Sequence, residues 1–319
     1  MGFITRYGSF WGDIPTTNGR VFWVAAASSY TVEGRSYTAS NNNDGLSPER
    51  AFLTLDYAVN QCTANVGDVI VLLPGAHSWS ATQTVDVEGV TITGIRRNTS
   101  TAGARGAGTR RHAATVTTSA SATTITVTAS NTEISHIHVI PVTAQAGIDV
   151  QGTNIHIHDC TFDMLGMVDS TSTFGISITG ATTLLRVANC TVNGGGAQGG
   201  WIDDSAGDDT ITFSESVIEN NLISSAASAA AAWAAVISIA SGASGILIRD
   251  NDFVSTSGAM ITLVAALSGN TTDGSVCLFR NHLAATTALE TVTATSDVQL
   301  LLNYIATIDG GAGGTLMTT

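Results

Sequence analysis

The stretch that decides the fold is IHIHDCTF, residues 155–162. Its apolar residues alternate with histidines, which is typical of a β-strand with one buried face. The same eight-residue frame recurs as TEISHIHV (132–139), LRVANCTV (185–192), SVIENNLI (216–223), ILIRDNDF (246–253), VCLFRNHL (276–283) and VQLLLNYI (298–305). Most copies carry apolar residues at positions one, three and eight, and polar residues near positions five and six.

The copies are regularly spaced. Starting from Ile137, position six recurs at steps of 23, 30, 31, 30, 30 and 22 residues. A strand, a polar corner, a second short strand and a return in each step describe one coil of a parallel β-helix, whose stacked coils build the core. The fold class is therefore all-β. We expect the residues at position six to stack in one structural column, with neighbours about 4.8 Å apart. These residues are Cys160, Cys190, Asn221, Asn251, Asn281 and Asn303.

The same alignment predicts ion pairs between adjacent coils. At position four Glu219 falls one coil before Arg249, and at position five Asp250 falls one coil before Arg280. Because the alignment was made on apolar residues, these opposite charges are an independent check on its register.

The β-helix is predicted over 44–319. In DGLSPERAFLTLDYAVNQC (44–62), the apolar residues Phe52, Leu55, Val59 and Cys62 have helical spacing. A capping helix around 48–62 would cover the open end of the stack. The strands GDVIVLLPGAHS (67–78) and VDVEGVTITGI (85–95) follow as first coils, and residues 1–43 are left as an amino-terminal arm.

Composition restricts the class of protein. The 319 residues are 44% hydrophobic and 12% charged, and all 12 basic residues are Arg. The chain has no apolar run near the roughly 18 residues of a membrane span, and its start lacks the apolar region of a signal peptide. We expect a soluble protein with no membrane partner, made in a reducing cytoplasm. Residues 112–319 carry three Arg against seventeen acidic residues, which argues against direct nucleic-acid binding.

Three segments in succession, DGLSPERAFLTLDYAV, VGDVIVLLPG and VEGVTITG, resemble the opening of the pectate-lyase-like right-handed β-helix superfamily. The resemblance runs from about residue 40 to the last coil and implies a right-handed parallel β-helix. That superfamily includes polysaccharide lyases and hydrolases, adhesins, and bacteriophage tailspikes and other virion proteins, so it says little about function. The preceding RYGSFWGDIPTTNGRVFWVAAASSYTVEG resembles phage proteins.

Paired acids are the candidates for catalysis if the chain is an enzyme: Asp203, Asp204, Asp208 and Asp209 in WIDDSAGDD. Polygalacturonase-like β-helix enzymes use adjacent aspartates, and the resemblance carries to Asp203-Asp204 only. The downstream Gly-His-Gly and Arg-Ile-Lys motifs of those enzymes have no counterpart here. We interpret the segment as an acidic solvated loop.

Histidines and cysteines raise two further alternatives. His136, His138 and His158 with Asp159 form either a metal site or a polar corner column, and we favour the column, with no metal or cofactor. Cys160 and Cys190 share a column and form either a disulfide or two buried thiols, and we favour thiols.

These features lead us to expect a structural bacteriophage virion protein. It would be a capsid decoration or cement protein bound to the major capsid protein, a homotrimer on the capsid surface, assembled in the host cytoplasm. The expected attachment residues are the arm aromatics Phe3, Tyr7, Phe10, Trp11, Phe22 and Trp23, with Arg96, Arg97, Arg110 and Arg111 of RRNTSTAGARGAGTRR (96–111). That Arg-rich segment could instead grip nucleic acid or be a mobile surface loop. The two alternatives are a polysaccharide-degrading lyase or glycoside hydrolase, and a non-catalytic adhesin for a host-surface glycan.

Overall fold

The structure is a computed structural model of the 319-residue chain. It describes residues 17–95, 112–142, 144–164, 170–194, 198–204, 213–225, 235–239, 243–255, 259–263, 276–285, 291–292, 298–307 and 315–317. None of the described helices is long and apolar enough to span a membrane.

Three long sheets run the length of the molecule, and each coil contributes one strand to each sheet in turn. Sheet 1 contains β1 (Val21–Val24), β4 (Val69–Leu72), β7 (Thr91–Gly94), β10 (Glu133–Ser135), β13 (His156–His158), β17 (Arg186–Ala188), β21 (Val217–Glu219), β24 (Ile246–Arg249), β27 (Val276–Phe279) and β30 (Val298–Leu301). Sheet 2 contains β5 (Gly75–Trp79), β8 (Ala114–Thr118), β11 (Ile137–Val139), β14 (Thr161–Met164), β18 (Thr191–Gly194), β22 (Leu222–Ser225), β25 (Asp252–Ser255), β28 (His282–Ala285), β31 (Asn303–Thr307) and β32 (Thr315–Met317).

Sheet 3 contains β6 (Gln83–Val85), β9 (Ile125–Val127), β12 (Ala146–Val150), β15 (Ser170–Ile178), β19 (Gln198–Asp203), β23 (Ala235–Ile239), β26 (Ala259–Leu263) and β29 (Thr291–Val292). All neighbours within the three sheets pair in parallel, except β31 and β32 at the carboxyl-terminal end. A short pair, β16 (Thr182–Thr183) with β20 (Phe213–Ser214), lies between sheets 3 and 1 along the chain. This architecture confirms the predicted parallel β-helix.

The corner between sheets 1 and 2 contains the asparagine column. Asn221 donates from Nδ2 to Oδ1 of Asn251 at 2.9 Å, and Asn251 donates likewise to Asn281 at 3.0 Å. Asn281 continues to Asn303 at 3.1 Å, and the backbone N–H of Cys190 donates to Asn221 Oδ1 at 2.8 Å. Each of these asparagines also donates to a backbone carbonyl of the preceding coil, as Asn251 does to Ile218 at 2.9 Å. The column therefore satisfies buried polar groups on both sides of the corner.

The left-handed residue of this corner is at position five of the frame, one residue before the column. Position five has φ near +50° in successive coils, including Asp159 (50°), Asn189 (55°), Asn220 (54°), Asp250 (54°) and Arg280 (52°). Asparagine at position six is thus not selected for a left-handed backbone. It is selected for its side-chain amide, which bridges coils.

The predicted charge pairs are present. Arg249 lies 2.5 Å from Glu219, and Arg280 lies 2.8 Å from Asp250. Arg186, one coil on the other side, also contacts Glu219 at 2.5 Å. Burial would raise the pKa of Glu219, but its hydrogen bonds from the two arginines outweigh burial and lower that pKa.

A helix and an outer hairpin cover the amino-terminal end. The α-helix α1 is shorter than the predicted 48–62, at Leu55–Val59, because Thr54 caps it and a separate 3₁₀ turn occupies Pro48–Arg50. Leu55 and Val59 are fully buried in the interior core, together with Phe52. The antiparallel pair β2 (Ser29–Val32) and β3 (Arg35–Thr38) packs outside sheet 1.

Two of the predicted attachment residues pack within this chain. Phe22 and Trp23 lie on β1, which pairs with β4, and they are 2% and 4% exposed. Phe22 points into the interior core, and Trp23 packs under the β2–β3 hairpin. Attachment through the segment 1–43 stays a prediction. The other predicted contacts lie outside the described residues: Phe3, Tyr7, Phe10, Trp11, Arg96, Arg97, Arg110 and Arg111.

Candidate active site

Sheet 3 presents one outward row of polar side chains. Its isoleucines and valines alternate inward, so the residue between them on each strand points outward. The parallel register places Thr126, Asp149, Ser177, Asp203 and Ser238 side by side on successive coils. Two carboxylates therefore share one row, with a serine between them.

Asp149 is held firmly at this row. Its Oδ1 accepts a hydrogen bond from Thr179 Oγ1 at 2.7 Å, and its Oδ2 accepts one from Gln151 Nε2 at 2.7 Å. Gln151 also donates to Thr179 at 3.2 Å, which closes a ring of three residues. Asp149 is only 8% exposed. Both carboxylate oxygens are thus fixed in direction by donors.

The expectation of a solvated acidic loop is wrong for the start of WIDDSAGDD. Trp201–Asp203 belong to β19, because Ile202 faces the core and pairs with Ile176. Asp203 and Asp204 are 5% and 4% exposed. The backbone N–H of Asp204 donates to the carbonyl of Ser238 at 3.0 Å. Asp208 and Asp209 lie outside the described residues.

The two carboxylates are spaced for chemistry on a bond between them. Asp149 and Asp203 are two strands apart, so their Cα atoms are separated by roughly 10 Å, or two strand spacings. Inverting glycosidases place their carboxyl groups roughly 6.5–9.5 Å apart, and retaining enzymes place them about 5–5.5 Å apart. The Asp149 and Asp203 side chains point outward from positions two coils apart, which suits the wider spacing of inverting enzymes.

The sequence frame does not identify Asp149, because its eight residues cover only the strands of sheets 1 and 2 and leave out the third strand of each coil. The signal is nevertheless in the sequence, since GIDV (147–150), GISI (175–178) and WID (201–203) share an apolar residue followed by a polar one in matching register.

The predicted histidine cluster is divided by the corner. His158 lies on sheet 1, where its Nε2 is 3.0 Å from Glu133 and its Nδ1 is 2.8 Å from Asp159, and its ring stacks on His156 at 4.2 Å. His136 borders this group, with its ring 5.8 Å from that of His158. His138 lies on the sheet 2 side. Among the described residues, no three side chains of His, Cys, Asp or Glu converge to hold a metal ion.

Neighbouring carboxylates and burial shift the pKa values of these histidines in opposite directions. Burial would lower the pKa of His158, but hydrogen bonds to Glu133 and Asp159 outweigh it and raise that pKa. Burial, with the neighbouring charge of His158, lowers the pKa of His156 to about 4. The hydrogen bond from His158 lowers the pKa of Glu133. Where His158 is protonated, the group forms a charged bridge at the surface of sheet 1.

The cysteines are thiols in this structure. None of the four cysteines forms a disulfide. Cys160 and Cys190 are buried, and Cys62 and Cys277 are partly buried. Burial raises the pKa of the Cys190 thiol well above its ordinary value, which keeps it protonated and unreactive.

A family model described as a right-handed β-helix region matches residues 75–276, more than half of the chain. The chain belongs to the right-handed β-helix family. A search of curated proteins gave no match to its sequence.

Solved structures of the same fold include three carbohydrate-active enzymes. An alginate lyase from Paenibacillus sp. str. FPU-7 superposes with a TM-score of 0.54 at 14% identity, covering 79% of this β-helix chain and 83% of the lyase. A pectin methylesterase in complex with a hexasaccharide gives 0.51 at 10% identity, covering 94% and 92%. A pectate lyase gives 0.50 at 13% identity, covering 93% and 79%. At such low identity these likenesses concern the fold.

Proposed function

We propose that this β-helix protein is a polysaccharide-degrading enzyme that acts from the outer face of sheet 3. The observation that carries the proposal is the pair of largely buried carboxylates, Asp149 and Asp203, in one row two coils apart. The enzymes that share the fold are named for alginate, pectin and pectate, which supports a carbohydrate substrate.

Hydrolysis suits the row better than elimination does. A lyase that removes the proton beside a uronate carboxylate needs a positive charge to stabilise the resulting anion. The described outward row of sheet 3 carries no basic side chain, and Arg186 and Arg249 project from sheet 1. Glycoside hydrolysis needs only an acid and a base, both of which carboxyl groups supply.

Orientation assigns the roles. Asp149 has both oxygens held by Thr179 and Gln151, so we assign it as the base that activates water. Asp203 is then the acid that protonates the leaving glycosidic oxygen. Ser177 lies between them, where its hydroxyl can orient the attacking water. The wide spacing predicts inversion at the anomeric carbon.

Charge favours a neutral polysaccharide. Residues 112–319, which include the whole row from Thr126 to Ser238, have three Arg against seventeen acidic residues. A polyanionic substrate would be repelled by this surface, whereas a neutral one would not.

The test is release of reducing ends from a panel of neutral and acidic polysaccharides. We expect activity on a neutral member, and a loss of about 100-fold or more in Asp149→Asn and Asp203→Asn. Asp252→Asn on the exposed face of sheet 2 is the control, and circular dichroism verifies the fold of each variant. An inactive wild-type protein, or full activity in both row variants, would refute the proposal.

A location on a capsid, binding to a major capsid protein and assembly as a homotrimer stay predictions from the sequence. The adhesin alternative shares the sheet 3 face with the enzyme proposal but requires no acid pair. It would be favoured by glycan binding that survives in Asp149→Asn without any cleavage.

A further inference from the structure

A second polar cluster lies on the outer face of sheet 2, a different sheet from the one that carries the Asp149 and Asp203 row. It consists of His138 on β11, Asp163 on β14 and Asn193 on β18, three consecutive strands. Asp163 and Asn193 are register partners. All three are at least nine-tenths buried, with exposures of 3%, 9% and 6%. Such burial is unusual for polar side chains on the outside of a sheet.

Two nitrogen atoms of this cluster lack hydrogen-bond partners. They are His138 Nε2 and Asn193 Nδ2, and both are buried. A buried polar atom without a partner is costly and calls for an explanation such as an ion or water. The oxygen and nitrogen of an asparagine amide are interchangeable by a half-turn. Asn193 can therefore present Oδ1, an acceptor, at the place where Nδ2 has no acceptor.

The distance between the other two groups points to a metal rather than a direct contact. His138 Nε2 and Asp163 Oδ2 are 3.4 Å apart, which is long for a hydrogen bond. Two ligands bound at about 2.0–2.2 Å to one tetrahedral ion lie roughly 3.4 Å apart. On the far side of the ring, His138 Nδ1 is 3.3 Å from Thr115 Oγ1. A metal-bound histidine usually donates its second ring N–H to such an oxygen.

We propose that His138 Nε2, the Asp163 carboxylate and the Asn193 amide oxygen bind one divalent transition-metal ion of the zinc type. An imidazole nitrogen with two oxygens suits zinc or cobalt, while calcium prefers a larger set of oxygen ligands. Thr115 is the positioning residue that orients the imidazole. The third ligand is an amide, so the site is not a cluster of three His, Cys, Asp or Glu. This proposal differs from the sequence-based expectation that the chain binds no metal.

The experiment uses the full chain without a polyhistidine tag, freed of metal by dialysis against a chelator. We expect titration with Co²⁺ to give the visible absorption of a tetrahedral site at one ion per chain, and Zn²⁺ to displace it. His138→Gln and Asp163→Asn should abolish uptake, and Asn193→Ala should weaken it. Thr115→Val should weaken it by about 10–100-fold, as loss of a ligand's outer partner does.

A matched control exists on the same sheet. His282 Nδ1 lies 3.4 Å from Asp252 Oδ1, but those side chains are 45% and 60% exposed. His282→Gln should leave Co²⁺ uptake unchanged. Circular dichroism verifies folding, and Thr115→Val and Asn193→Ala keep the proposal testable if the ligand variants fail to fold. No stoichiometric uptake, equal loss in His282→Gln, or only an ordered water at the cluster in crystals grown with Zn²⁺ would overturn the proposal.

Discussion

The corner between sheets 1 and 2 and the outward row of sheet 3 are built on the same coils, yet the eight-residue frame predicts the corner and not the row. The corner repeats the same chemistry coil after coil, ending in Asn221, Asn251, Asn281 and Asn303. The row changes from Thr126 to Asp149, Ser177, Asp203 and Ser238. A repeated residue reports a requirement of the fold, and a residue that differs from its neighbours in a column is where function can be placed.

The largest expected effect comes from breaking the corner. Asn251 Oδ1 accepts from the backbone and the side chain of Asn221, and its Nδ2 donates to Ile218 and Asn281. Asn251→Ala would leave several buried groups without partners, at about 1–3 kcal/mol each. We expect a loss of about 3–5 kcal/mol in the free energy of unfolding, measured by urea denaturation.

The neighbouring Asn220 is the control for that measurement. It is exposed and has φ of 54°, so Asn220→Gly retains the backbone conformation without touching the column. We expect a change within about 0.5 kcal/mol. Equal losses in Asn220→Gly and Asn251→Ala would show that the column does not hold the coils together.

The fold was predictable because stacking requires similar residues in each coil. The frame gave the register of sheets 1 and 2 and the pairs of Glu219 with Arg249 and Asp250 with Arg280. The extra partner of Glu219 was not predicted, because Arg186 sits at position two of its copy and reaches across the strand. The predicted helix is longer than α1, because Pro48 and the helical spacing of Phe52 suggest an earlier start than the actual one after Thr54.

The candidate site was only half predictable. The sequence identifies Asp203 as one of two adjacent aspartates. Its burial depends on the pairing of β19 with β15 and β23 in sheet 3, which the eight-residue frame does not include. Asp149 is a single acid between Ile148 and Val150, and only the alignment of GIDV (147–150) with GISI (175–178) and WID (201–203) relates it to Asp203. The proximity of His138 to Asp163, and the pairing of Asp163 with Asn193, likewise arise only when the coils are stacked.

The two predicted ion pairs differ in burial, and that difference gives the second test. The Glu219 side chain is 3% exposed and contacts two arginines, whereas Asp250 is 25% exposed and its partner Arg280 is 54% exposed. We expect Glu219→Gln to cost about 1.5–3 kcal/mol, because charge-assisted hydrogen bonds are lost at a buried site. Asp250→Asn should cost only about 0–1 kcal/mol.

The measurement is urea denaturation at low and at high salt. Screening should shrink the cost of Asp250→Asn more, in proportion, than that of Glu219→Gln. Equal losses of stability in the two variants would show that burial does not determine how much each ion pair contributes to the free energy of unfolding.

The smallest expected effect concerns the histidine bridge on sheet 1, beside the corner. The pKa of His158 is raised above 6.5, so its contribution to stability is complete below about pH 6.5 and is lost as the pH rises through its folded-state pKa. The pKa of Glu133 is lowered below 4.5, so its contribution is present above about pH 4.5 and is lost as the pH falls through its folded-state pKa. The bridge is therefore strongest between about pH 4.5 and 6.5.

His158→Gln should lower the melting temperature by roughly 1–3 °C near pH 5.5, and by less at pH 8, because partly exposed pairs contribute little. His156 is present in both proteins, and burial, the largest cause of its lowered pKa, acts in both. Only the part of that shift that comes from the charge of His158 differs, and it is confined to pH values below about 6.5. His136 and Arg186 face the same group and are likewise unchanged. The measurement is the melting temperature of wild type, His158→Gln and the control His282→Gln across pH 4.5–8. A difference that is flat with pH, or one that grows toward pH 8, would show that His158 packs at this surface without acting as a charged bridge.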